Sequence, residues 1–182
     1  MIERDDAVRE RLARDGSLFA GYHPEMEAVH REHAARLAAI VDAHGWPGRS
    51  RVGDDGASAA WRILQHAIGE PALLRRLLPI VRAAAAGGEA NPAEVAMLDD
   101  RIRVFEGRPQ CYGTQYDWND DGTAMVPMVG VEDPEQVDER RRAVGLPPMQ
   151  WTRAAPADEP PPTDPHARRA EGVAWARRVG WR

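Results

Sequence analysis

The chain has 182 residues, of which 43% are hydrophobic and 29% charged, a composition typical of one soluble globular domain. Its formal net charge of -5 argues against nucleic-acid binding, which normally needs a basic patch. No apolar run reaches the ~18 residues of a membrane span, and the N-terminus lacks the apolar stretch of a signal peptide. We therefore expect a cytoplasmic protein with no membrane partner.

Arginine supplies all of the strongly basic side chains, since the sequence contains no lysine. Together with many alanines, glycines and prolines, this indicates the coding bias of a GC-rich bacterial genome. Without lysine, neither a lysine Schiff base nor a P-loop can form. Cys111 is the single cysteine, which excludes an intramolecular disulfide. The sequence also lacks a glycine-rich phosphate loop, a serine nucleophile elbow and a paired-cysteine motif.

In chain order, apolar residues recur at helical spacing and predict a mainly α fold around a single core. The charged residues 3–15 predict a short first helix. Gly53-Asp54-Asp55-Gly56 predicts a loop, and Pro79 predicts a kink or a break within its helix. The further helices are predicted at 24–44, 57–68, 71–86, 92–106 and 134–144.

The segment 109–130 differs in character from the helices around it. Aromatic residues precede Asn119-Asp120-Asp121-Gly122, a strong turn signal, so the segment predicts a loop or a short β-hairpin. The helical domain would then cover residues 1–152. Residues 153–165 are rich in proline and acidic side chains and predict a linker. Residues 166–182 predict a short basic helix that is either frayed or docked.

His66 is the first candidate for chemistry, because an imidazole is a natural general acid or base near neutral pH. The apolar face of its helix is centred on Trp61 and Leu64. At about 100° per residue, His66 points away from that face, toward solvent or a polar cleft. Gln65 lies on the flank of the helix and could reach the same cleft.

Asp100 and Arg101 are the second candidates. Their helix buries a stripe of Val95, Leu98, Ile102 and Phe105, which places Asp100 almost opposite the core and Arg101 on the flank. The arginine would bind an anionic group and the aspartate would orient it. The alternative is an exposed charged face.

A cluster of hydrogen-bonding residues follows that helix, around Gly113. It would form a binding surface, and its members are Gln110, Tyr112, Thr114 and Gln115.

His30 and His33 share one helix face and could belong to a metal site, but their spacing is not the i,i+4 of helical zinc motifs. Semi-buried histidines are the alternative, and we expect no metal. Cys111 lacks any feature that would activate a thiol, so we expect a structural cysteine.

Several short motifs together resemble a bacterial family of domains of unknown function, over residues 5 to about 150. The resemblance implies no chemistry, but it implies that six polar residues form one site: His66, Asp100, Arg101, Tyr112, Thr114 and Gln115. Gly113 would permit a backbone angle or a close approach that a side chain forbids. The motifs are Trp46-Pro47-Gly48, Trp61 with Gln65-His66, Asp100-Arg101, Gln110-x-Tyr112-Gly113-Thr114-Gln115, and Asp138-x-Arg140-Arg141 with Gly145-Leu146-Pro147.

We expect a small enzyme without a cofactor, carrying out acid–base chemistry such as hydrolysis, elimination or isomerisation on a small polar or anionic substrate. His66 would transfer the proton, Asp100 and Arg101 would act beside it, and the Gly113 segment with Gln65 would bind the substrate. One alternative is a non-catalytic module that binds a ligand or a partner. Another is a structural polar network that ties residues 108–130 to the helices. The sequence does not indicate an oligomeric state.

Overall fold

A computed structural model of the chain describes residues 1–19, 21–157 and 159–182. The fold is mainly α with one short antiparallel hairpin, and both features were predicted. The elements are α1 (Ile2–Arg14), a 3₁₀ turn (Ser17–Phe19), α2 (Pro24–His44), α3 (Arg49–His66), α4 (Pro71–Ala86), α5 (Pro92–Phe105), β1 (Tyr116–Trp118), β2 (Met125–Pro127), a 3₁₀ turn (Pro134–Gln136), α6 (Val137–Ala143) and α7 (Pro165–Arg178).

The chain forms two compact units, Met1–Val95 and Ala96–Arg182. The first contains α1 to α4, whose buried residues follow the helical period. Helix α2 buries Met26, Val29, Leu37 and Val41, and α4 buries a similar series of leucines and a valine. Among the described residues, no helix is long and apolar enough to cross a membrane.

Helix α3 differs from its prediction. A first helical segment begins already at Arg49, and helical backbone resumes directly after Gly53 and continues to His66, so the expected four-residue loop Gly53–Gly56 is reduced to a break at Gly53. The chain bends at Gly53, whose φ of 73° lies in the left-handed region that glycine adopts at little cost. Glycine thus marks a kink within the helix, where the sequence indicated a longer loop.

Helix α4 runs through Pro79 without dividing. A proline inside a helix removes one hydrogen bond and leaves a carbonyl one turn earlier without its usual donor. Pro79 lies on the exposed face of α4, where water can solvate that carbonyl. The predicted division of this helix is therefore wrong.

The second unit contains the hairpin predicted within 109–130. Its strands pair in the register Tyr116↔Pro127, Asp117↔Val126 and Trp118↔Met125. The side chain of Asn119 closes the turn, since its Oδ1 accepts hydrogen bonds from the backbone N–H of Thr123 at 2.8 Å and of Ala124 at 3.2 Å.

The C-terminal helix α7 is docked within the second unit, which decides between the two alternatives left by the sequence. Trp181 is buried and stacks on Phe105 with ring centroids 5.2 Å apart. The Arg182 guanidinium donates to the carbonyl of Phe105. The domain limits at 152 and 165 that we infer from composition remain predictions.

Candidate functional site

A buried polar cluster in the first unit consists of Asp5, His30 and His66, and we call it the Asp5 cluster. The two carboxylate oxygens each meet one imidazole: Oδ1 lies 3.0 Å from Nε2 of His30, and Oδ2 lies 2.7 Å from Nδ1 of His66. The two rings lie 5.0 Å apart between centroids. One carboxylate therefore joins two histidines.

Three different helices position these side chains. Asp5 lies in the first turns of α1, seven residues before Leu12, so both point to the buried face of that helix. His30 lies next to the buried Val29 in α2, and His66 is the last residue of α3. The polar cluster thus forms where the amphipathic helices of the first unit meet.

Burial differs sharply within the Asp5 cluster. The side chain of Asp5 is 2% exposed, that of His30 11% and that of His66 23%. Burial alone would raise the pKa of the Asp5 carboxyl, but hydrogen bonds and charge from the two histidines outweigh it and hold that pKa well below its usual range. Asp5 is therefore an ionised, almost fully buried carboxylate.

Tyr22 extends the network behind His30. Its hydroxyl oxygen lies 2.8 Å from Nδ1 of His30, and the two rings stack. Both nitrogens of the His30 ring are thus within hydrogen-bond distance of a partner, which fixes the ring orientation. His33, the other histidine considered for a metal site, is buried nearby on α2, and burial lowers the pKa of its imidazole.

The Asp5 cluster also has the composition of a metal site. One ligand atom from each of the three side chains lies within 4.8 Å of the other two. Two imidazoles with one carboxylate form a donor set that proteins use for transition metals.

Asp100 lies in the second unit and organises the segment Cys111–Gln115, which we call the Gly113 loop. Its carboxylate accepts hydrogen bonds from the backbone N–H groups of Cys111, Tyr112 and Thr114 and from the Thr114 hydroxyl. Burial raises the pKa of the Asp100 carboxyl, and these donors limit the rise.

The predicted orientation of Asp100, opposite the core, is wrong, because the residue is 0% exposed. Helix α5 buries Leu98, Asp99 and Asp100 in succession, so it is covered on several faces. A helix covered in this way has no exposed side opposite its apolar stripe.

Gly113 has both properties expected of it, a backbone angle that favours glycine and a close approach to another residue. Its φ is 63°, and a Cβ there would lie 2.5 Å from the terminal methyl of Met149. The buried Arg141 guanidinium donates to the carbonyls of Tyr112 and Gly113. The Gly113 loop is therefore clamped from two sides, by a carboxylate on its N–H groups and by an arginine on its carbonyls.

Gln110, predicted to bind substrate, is fully buried in the structure. Its side-chain amide donates to the carbonyls of Gln115 and Met128 at 2.8 Å, and its Oε1 accepts from the backbone N–H of Gln115. Gln115 in turn accepts a hydrogen bond from Nε of Arg101 at 3.0 Å. These contacts hold the Gly113 loop in shape.

Cys111 has the inert character expected from the sequence. Burial raises the pKa of its thiol to about 11, despite the nearby Arg103. Its Sγ lies 3.6 Å from a carboxylate oxygen of Glu132. At neutral pH the side chain is therefore a neutral thiol and a poor nucleophile.

The predicted site residues divide between the two units. Gln65 and His66 belong to the first unit, and Asp100, Arg101 and the Gly113 loop belong to the second. Their assignment to one site remains a prediction. Sequence reasoning missed Asp5, whose only signal was its position on the same face of α1 as Leu12. It also left Arg141 without a role.

The chain belongs to a family of unknown function, DUF6624, because the family matches residues 1–154. This confirms the expected membership of a family of unknown function. No curated protein and no solved structure matches the chain. The match includes Asp5, His30 and His66, as well as the Gly113 loop, and ends before α7.

Proposed function

Since membership of a family of unknown function assigns no activity, we propose from the geometry that the protein is an enzyme whose reacting centre is the Asp5 cluster. It would carry out acid–base chemistry on a small polar or anionic substrate. Hydrolysis, elimination and isomerisation each require a group that takes up and returns a proton. The observation that carries the proposal is the buried Asp5 carboxylate shared by two imidazoles.

Such a cluster is costly for a purely structural role. The free-energy cost of burying an ionised carboxylate is offset only by well-formed hydrogen bonds. Apolar side chains would often stabilise a helix junction equally well. A carboxylate that holds a histidine in a fixed orientation is, in contrast, a common arrangement in catalytic sites. The composition of the cluster therefore favours chemistry over packing.

His66 is the member of the cluster that would face the substrate. Its side chain is 23% exposed, whereas that of Asp5 is 2% exposed. For the second unit by itself, we expect that Arg101 attracts an anionic group and that Tyr112, Thr114 and Gln115 bind polar atoms. Asp100 would act as a positioning residue, through the loop that it holds.

The test is a thermal-shift screen of small polar and anionic metabolites, with the wild type, His66→Gln and His44→Gln. His44 is an exposed histidine of the same unit and provides the matched control. A ligand at a hundredfold excess over its Kd stabilises the folded state by about 2.7 kcal/mol, which gives a shift of several degrees.

We expect at least one compound to stabilise the wild type and His44→Gln but not His66→Gln, and to be converted when incubated with the wild type. A compound that stabilises the wild type without conversion would favour the binding module. Equal stabilisation of all three proteins would place the ligand away from His66 and contradict the proposal.

A further inference from the structure

The geometry points to a divalent transition-metal site in the Asp5 cluster, with a carboxylate oxygen of Asp5, Nε2 of His30 and Nδ1 of His66 as ligands. The inference rests on the proposed function only in placing the reacting centre at the same three side chains. It adds the cofactor that would act there.

The ligand types select the class of metal. Two imidazole nitrogens and one carboxylate suit zinc, iron, cobalt or nickel, whereas magnesium and calcium prefer ligand sets made of oxygen. Three protein ligands are fewer than the four of a structural zinc site and leave a coordination position for water or substrate. The set therefore has the composition of a catalytic metal site.

The distances are close to those that a metal requires. With bonds of about 2.0–2.1 Å, the ligand atoms around a tetrahedral zinc lie about 3.4 Å apart. In the Asp5 cluster the two carboxylate–imidazole distances are 3.0 Å and 2.7 Å, and all three ligand atoms fall within 4.8 Å of one another. Small side-chain rotations would bring them around one ion.

The hydrogen bond between Tyr22 and His30 also fits a metal site. Metal-bound histidines usually donate their second ring N–H to an oxygen, which fixes the tautomer. The Tyr22 hydroxyl lies 2.8 Å from Nδ1 of His30, on the side of the ring opposite Asp5. Donation from Nδ1 to this hydroxyl would leave the lone pair of Nε2 directed toward Asp5 and the ion.

Burial gives the site a closed side and an open side. Asp5 and His30 are buried, while His66 is the most exposed of the three ligands. The open coordination position would therefore lie near His66. A zinc ion there would lower the pKa of a bound water to about 7 and so supply a nucleophile or base at neutral pH.

A simple hydrogen-bonded network would use the same atoms. In that case two N–H protons point at the Asp5 oxygens, and a metal ion would have to displace both. The two arrangements differ in one measurable property, which is saturable uptake of a metal ion that depends on all three side chains.

The first test is a calorimetric titration of Zn²⁺ into the chelator-treated full chain, for the wild type, His30→Gln and the control His44→Gln. We expect one ion per chain in the wild type and the control. Because loss of a group behind a ligand already costs about 10- to 100-fold in affinity, loss of the His30 ligand should cost about a hundredfold or more. Equal affinity in all three proteins, or no saturable uptake by the wild type, would overturn the inference.

A second measurement needs no variant and so does not depend on the folding of His30→Gln. The wild type loaded with Co²⁺ should show paramagnetically shifted proton resonances from two imidazole rings. Bound Co²⁺ without shifted imidazole resonances would place the ion elsewhere and overturn the inference.

The failures of the two proposals can be told apart. Suppose that the wild type takes up no Zn²⁺, but a metabolite still stabilises the wild type and not His66→Gln, and is converted by the wild type. The metal inference is then overturned and the acid–base proposal stands. If Zn²⁺ binds through His30 but no metabolite responds to His66→Gln, the metal inference is supported and the proposed activity fails.

Discussion

Two buried carboxylates, Asp5 and Asp100, show how the donors around a residue set its role. Asp100 accepts hydrogen bonds mainly from backbone N–H groups, which neither exchange protons near neutral pH nor bind metal ions. Asp5 meets two imidazoles, which can exchange protons or bind a metal. Asp100 therefore acts as an anchor for the Gly113 loop, and Asp5 belongs to the reacting centre that we propose.

Replacement of Asp100 by asparagine should destabilise the second unit. The new amide NH₂ would meet N–H groups that now meet an oxygen, and each buried group left without a partner costs about 1–3 kcal/mol. We expect a lower free energy of unfolding in urea for Asp100→Asn. The exposed Asp121→Asn is the control and should change stability by less than about 0.5 kcal/mol. Equal stability of the two variants would show that Asp100 does not anchor the loop.

Cys111 should react slowly with iodoacetamide. Only the thiolate attacks, and a thiol whose pKa is raised to about 11 by burial is ionised about a hundredfold less at pH 8 than one at the ordinary value of 9.0. The sign follows from the raised pKa, since ionisation begins only at higher pH. We expect mass spectrometry to show alkylation of the folded chain about a hundredfold slower than of the urea-unfolded chain. Similar rates would contradict the buried, neutral thiol.

For the helices, the sequence predicts the limits correctly where the start and end signals agree with the helical spacing of the apolar residues. The predicted limits of α2 and α4 match the structure, because a proline opens each helix and a glycine follows each. The burial of Asp100 was not predicted. Local spacing assumes one buried face and one exposed face, and it cannot report a second segment that covers the exposed one.

The candidate site was predictable only in part. His66 could be identified because an imidazole on the polar side of an amphipathic helix is a candidate general acid or base. Asp5 could not, because it contacts residues 25 and 61 positions away, and nothing in its local sequence indicates those partners. Gly113 could be identified because its positive φ is a local property of the backbone.

Docking of α7 should depend on Trp181, which is 2% exposed and stacks on Phe105. Truncation of a buried tryptophan to alanine typically costs about 3–5 kcal/mol. We expect Trp181→Ala to increase hydrogen exchange throughout α7, as measured by mass spectrometry. Trp151→Ala, at a tryptophan that is 49% exposed, is the matched control and should leave this exchange unchanged. Unaltered protection in Trp181→Ala would mean that α7 is held by other contacts.

On the scale of the whole molecule, the two compact units differ in the kind of polar group that they bury. The first buries the Asp5 cluster, a carboxylate between two imidazoles that could hold a metal ion. The second buries Asp100 and Gln110, whose hydrogen bonds go to the Gly113 loop and its neighbours. The family match covers all of the first unit and the Gly113 loop. Because the buried imidazoles lie in the first unit, the chemistry that we propose depends on the Asp5 cluster.

The most direct measurement is an anomalous difference map at the zinc absorption edge, from crystals of the full chain soaked in Zn²⁺. We predict one strong peak about 2.0–2.1 Å from Nε2 of His30 and Nδ1 of His66, with an Asp5 oxygen as third ligand. A map without a peak at these side chains, in crystals that bind zinc elsewhere or not at all, would contradict a metal centre in the Asp5 cluster.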